Sequence, residues 1–126
     1  MRDQSLWTWH LAAGVVILLL LGLHMVIMHL DTILPLAVSA PNGGTPIDWA
    51  NVVVRAKSAF FMVTYVLLLG AALFHGLYGL RNILFELNPK AGTKKALTGL
   101  FLTVGVALFI IGTWAAWVGF TVARGA

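Results

Sequence analysis

Three long stretches of the chain carry no charged side chain: Gln4–Leu30, Ser58–Leu80 and Ala96–Ala123. Each exceeds the ~20 apolar residues a helix needs to cross ~30 Å of hydrocarbon. The charged positions collect at the termini and in two connecting segments. Lipid offers backbone groups no hydrogen-bond partner, so a spanning segment must be a helix or a strand of a closed barrel. No segment alternates apolar and polar residues as barrel strands do, which leaves the helical solution. The pattern predicts an all-α fold: an integral membrane bundle of three transmembrane helices forming a single domain over residues 1–126. The helices are expected at about 6–30, 58–86 and 96–122, with an outer loop at 31–57 and an inner loop at 87–95.

The outer loop contains Pro35, Pro41, Asn42-Gly43-Gly44 and Pro46, residues that break helices and turn chains. Asp48-Trp49-Ala50-Asn51 then predicts a short interfacial helix leading into the second span. Ala37-Val-Ser-Ala40 resembles a small-residue cleavage site, but the apolar stretch before it is too long for the core of a secretory signal, so it is read as a span. Gly105, Gly112 and Gly119 recur every seven residues, which puts them on nearly one stripe of the third helix, where another helix can approach closely.

Composition agrees with a lipid solvent: 60% of residues are hydrophobic and only 10% charged, outside the usual range of soluble domains. The formal charge of +4 sits in short segments beside the spans, where membrane lipid headgroups or a docked soluble partner explain it better than nucleic acid does. An odd number of spans puts the amino terminus and second loop together, with Arg2, Arg81, Lys90, Lys94 and Lys95; the opposite side has Arg55, Lys57 and Arg124. The excess predicts a cytoplasmic amino terminus in the inner membrane of a prokaryote. Trp7 and Trp9 at one end, and Trp114 and Trp117 at the other, fit the aromatic belts of a bilayer. No soluble domain remains, so this chain holds no expected catalytic residue, and chemistry on a soluble substrate would need a partner subunit.

The candidate chemistry lies in four histidines, His10, His24, His29 and His75. Ionisable side chains deep in a span are rare and usually face the bundle interior. No cysteine is present, so thiolate and iron–sulfur ligation by this chain are excluded. His24 and His75 are the expected axial ligands of haem iron. His75 stands in Phe74-His-Gly-Leu-Tyr-Gly79, where Gly76 and Gly79 bare the helix for a flat macrocycle, and Arg81 is placed to pair with a haem propionate. Gly14 and Ala13 share a broad face with His24. A rise of ~1.5 Å per residue puts His24 ~26 Å outward of Trp7 and His75 ~16 Å from Glu86. The resulting offset of ~10 Å predicts that each histidine serves a different haem, its opposite ligand coming from another chain. His29 falls near the outer surface. His10, beside Trp7 and Trp9, is placed to approach a quinone or propionate, or to pair with His24, fourteen residues on, as in a two-haem cytochrome b helix.

Gly14 with Gly22-Leu-His24-Met-Val-Ile-Met28, and Leu73-Phe-His75-Gly-Leu-Tyr-Gly79-Leu-Arg81, resemble the membrane anchors of succinate:quinone oxidoreductases over about Leu6 to Asn88. The second segment is similar to that family's His-Gly-x-x-Gly-Leu pattern. The resemblance implies two b haems shared with a second membrane anchor subunit, the inner one on His75 and the outer one on His24. It also implies a flavoprotein subunit, an iron–sulfur subunit, and quinone, with menaquinone a candidate, as electron partner. Leu73 stands where some two-haem fumarate reductases carry a glutamate, and Leu87 where single-haem relatives have a tyrosine beside the acid that Glu86 would match. His10, His29 and Glu86 are the candidate quinone contacts. Two alternatives remain at this stage: a haem-free structural anchor, and a homodimeric cytochrome b using His10 and His24.

Overall fold

The computed structural model describes residues 2–29, 40 and 42–125. Four helices occur among them: α1 (Arg2–His29), α2 (Trp49–Ala56), α3 (Ala59–Glu86) and α4 (Ala91–Gly125). Strands are absent among the described residues. Helices α1, α3 and α4 are each long and apolar enough to cross a membrane. Their outward faces are as apolar as their contacts, with Leu18 72% and Ile110 61% exposed, and Ala123 is the only buried residue among the described residues of the three spans. Such helices have lipid or partner chains as their solvent.

The three spans stand in a row. Helix α3 packs on α1 along one flank and on α4 along the other, while α1 and α4 make no close approach among the described residues. Two broad faces of α3 are therefore left between its neighbours. The seam with α4 is made by the glycines expected to pack: a Cβ at Gly105 would come 2.9 Å from Leu77, and one at Gly112 would collide with Leu69. Gly70 returns the arrangement, taking the ring of Phe109, which would lie 3.1 Å from a Cβ there. Gly119, the third member of the stripe, faces open space within this chain.

The helices outrun the uncharged stretches. Helix α1 starts at Arg2, and α4 at Ala91 instead of near residue 96, so Lys94 and Lys95 are helical and the inner loop shrinks from 87–95 to 87–90. The reason is that a gap in charge marks the hydrocarbon, whereas a helix ends where its backbone is stopped, and lysines on the outer turns reach back to water. Helix α3 is stopped by Asn88, whose φ of 50° is a left-handed conformation that asparagine tolerates. Its N–H donates to Phe85 O at 3.0 Å, and Pro89 follows.

The expected interfacial helix is present as α2, which packs on both α3 and α4. Its anchor is Asn51, only 1% exposed. The Asn51 Nδ2 donates to Gly43 O and Thr45 O, both at 2.9 Å, and its Oδ1 accepts the Asn42 N–H at 3.1 Å. Gly43 and Gly44 sit at φ of 70° and 67°, the left-handed region that glycine enters without penalty. The Asp48 carboxylate accepts the Thr45 N–H at 2.8 Å and the Thr45 hydroxyl at 2.9 Å. Those bonds hold its pKa below the ordinary carboxylate value. The rest of the expected outer loop, including Pro35, Pro41 and the Ala37–Ser39 part of the signal-like segment, lies outside the described residues.

Candidate functional site

His10 and His75 meet across the α1/α3 interface. Their rings stack at 4.1 Å between centroids and 6° between planes, and His75 Nδ1 lies 3.0 Å from the backbone carbonyl oxygen of His10. A carbonyl can only accept, so Nδ1 is the donor, and in the neutral ring that tautomer leaves the lone pair on Nε2. This is the arrangement by which a backbone carbonyl fixes the tautomer and direction of a metal-ligating imidazole. Tyr78 lies 5.3 Å from the His10 ring.

Two glycines make room for the pair, and they do so reciprocally. A Cβ on Gly14 of α1 would stand 3.2 Å from Cε1 of His75, and a Cβ on Gly79 of α3 would stand 3.2 Å from Cε1 of His10. Each helix thus carries a histidine and, four residues on, the glycine that receives the other helix's histidine. In antiparallel neighbours this spacing puts both pairs at one level. The sequence carried the signal, in the matched spacing of His10 to Gly14 and His75 to Gly79, but only the contact between the helices gives it meaning.

Several expectations are corrected by this geometry. Gly14 serves His75 and not His24. Gly79 offers no bare surface, because the His10 imidazole fills it. Of the two glycines beside His75, only Gly76 has nothing within 4 Å. His10 is half-buried, its ring against that of His75.

His24 and His75 do not come together. His75 is level with Gly14, ten residues before His24, which corresponds to ~15 Å along α1, more than the ~10 Å reckoned from the ends. His24 instead meets the edge of Tyr65, with centroids 5.8 Å apart and planes at 72°. The two rings line a cleft at that end of the interface with Phe61, Thr64 and Leu68. Flanking the His10/His75 level, the α1/α3 pair bears an open groove of about 450 Å³, apolar throughout, lined by Trp9, Ala12, Ala13, Val16, Gly70 and Phe74 among others.

Arg81 is held within the chain. Its Nε donates to Thr98 Oγ1 at 3.0 Å and its Nη1 to Asn82 Oδ1 at 3.1 Å. Its guanidinium covers the Phe85 ring at 4.2 Å, which Lys94 also approaches at 5.7 Å. Sequence reasoning missed Thr98 because nothing in the spacing shows which residue of α4 faces Arg81. His29 ends α1 exposed and Glu86 ends α3 exposed, far from one another along the fold, and neither joins His10. Among the described residues no group of three or more His, Cys, Asp or Glu side chains is placed to hold a bare metal ion.

The fold and the paired histidines define a multi-pass, all-helical membrane protein with imidazoles turned inward at two levels. Over 108 residues it is 28% identical to the succinate dehydrogenase hydrophobic membrane anchor subunit of Archaeoglobus fulgidus, an alignment covering 86% of this chain and 83% of that protein. No family model matches the chain, and no solved structure matches it significantly.

Proposed function

We propose that the chain is the haem b-binding membrane anchor of a succinate:quinone oxidoreductase. In this reading it holds the flavoprotein and iron–sulfur subunits at the membrane and, with a second membrane chain, carries electrons between them and quinone, with menaquinone a candidate. The likeness to a named succinate dehydrogenase anchor over most of both chains supports the assembly role. The cofactor reading is carried by one observation, the His75 Nδ1–H bond to the His10 carbonyl, which leaves Nε2 as the ring nitrogen available to a metal.

The residues present fit haem b. His75 would supply one axial nitrogen, and the open helix surface at Gly76 would lie beside the macrocycle. His24, ~15 Å further along α1, would serve a second haem. The other ligands would come from the partner membrane chain, because His24 and His75 cannot reach one iron. Bound there, haem supplies one-electron chemistry at a potential set by its ligands and surroundings. Arg81, already steered by Thr98 and Asn82, would offer its remaining guanidinium N–H groups to a propionate.

A haem-free structural anchor is the second reading, favoured by the same pair, since stacked histidines that also bond a backbone can serve packing alone. Redox titration of the assembled complex separates the two. The haem reading expects His75→Ala to remove one b-type centre and His24→Ala the other. An assembled complex without haem leaves only the structural anchor, and both variants losing the same centre while another persists contradicts two haems.

A further inference from the structure

We propose that His10 is a positioning residue for His75, its carbonyl setting the tautomer and its ring setting the plane of that imidazole as an iron ligand. The inference rests on the haem reading above and deepens it.

Two independent contacts converge on His75. The carbonyl of His10 receives its Nδ1–H at 3.0 Å, which fixes the direction of Nε2. The stacked ring of His10, 4.1 Å away and within 6° of parallel, fixes rotation about that direction, because turning the His75 plane would drive its edge into the neighbouring ring. A histidine held only by its hydrogen bond could still swing about it.

The backbone is shaped for both contacts. In a helix the carbonyl of residue 10 points toward residue 14, so a side chain at 14 would screen it; Gly14 leaves it open, with His75 Cε1 where a Cβ would stand 3.2 Å away. Gly79 does the same for the His10 ring at 3.2 Å. Two glycines in helix interiors cost stability relative to alanine, and both are spent on bringing these two rings together. His10 has its Nδ1 buried without a partner among the described residues, and its ring meets His75 by its face.

The plane of an axial imidazole governs the g-anisotropy of a low-spin ferric haem, so the test is electron paramagnetic resonance of the whole complex, oxidised, with a potentiometric titration alongside. His10→Ala keeps the carbonyl but removes the stack. The proposal expects the signal and midpoint potential of the His75 centre alone to shift, and expects His10→Phe, which restores a flat face, to return the signal toward that of the wild type. A His10→Ala complex with an unshifted signal overturns the proposal while leaving the haem reading intact. Retention of that centre in His75→Ala removes the haem reading beneath it. Where His10→Ala fails to assemble, Gly79→Ala, which pushes the His10 ring by a few tenths of an ångström, replaces it; a shift is expected and its absence is fatal.

Discussion

At the His10 end of the α1/α3 interface two imidazoles lie face to face, seated on Gly14 and Gly79, and His75 has its Nδ1 bonded. At the other end a single imidazole, His24, meets the edge of Tyr65 beside a cleft, and Gly22 nearby has nothing within 4 Å. The same two helices therefore make one closed, reciprocal contact and one open contact. The difference teaches that a glycine in a membrane helix is informative only with its opposite neighbour: Gly14 and Gly22 look alike in sequence, yet one receives a side chain and the other does not. It also teaches that the two histidine sites are unequal. His75 has its Nδ1 bonded within this chain, whereas His24 has no hydrogen-bond partner among the described residues and meets only the edge of Tyr65.

The largest expected effect comes from filling the closed contact. Gly14→Leu puts a branched side chain where His75 stands and should prevent α1 from docking, so little complex is recovered; Gly22→Leu should assemble normally. Comparing membrane-extracted yields checks this, and equal yields would erase the distinction between the two ends. Next is the α3/α4 seam. Gly112→Val must displace Leu69 and should cost about 1–3 kcal/mol by overpacking, seen as a lower unfolding temperature in detergent, while Gly119→Val should move it little. Replacing Asn51 by Ala strands the three groups it satisfies and should cost about 1–3 kcal/mol, read as faster amide exchange across residues 42–51 with α1 and α3 unchanged. The smallest effect is in pH. The Asp48 pKa is depressed by its bonds to Thr45, so the contribution of this turn is complete above the ordinary carboxylate range and is lost as pH falls through the lowered value. The Thr45 amide shift should follow that titration, and a midpoint above the ordinary range would contradict it.

How much of this was legible in the sequence follows from what each residue depends on. The three spans and the interfacial helix depend on local composition, and Asp48-Trp49-Ala50-Asn51 was enough to place α2. The helix ends were misjudged where charge stood in for backbone: Lys94 and Lys95 lie inside α4, and the true stop, Asn88 ahead of Pro89, is a conformational signal. Gly105 and Gly112 were read correctly as packing positions because a period of seven already puts them on one face. The partners of His10, His24 and Arg81 were not legible. Each lies on another helix, at a level set by the relative slide of two antiparallel rods, and a reckoning that takes Trp7 and Glu86 as level underestimates that slide, because the pairing of Gly14 with His75 and of Gly79 with His10 puts Trp7 nearer Asn82.

The central claim is that this chain places His75 as an axial ligand of haem b. Its most direct test is the reduced-minus-oxidised absorption spectrum of the purified complex, wild type against His75→Ala, with assembly confirmed for both. The account predicts low-spin b-type bands in the wild type and loss of one centre in the variant. An active complex with no haem bands, or a variant with its full haem complement, would contradict it.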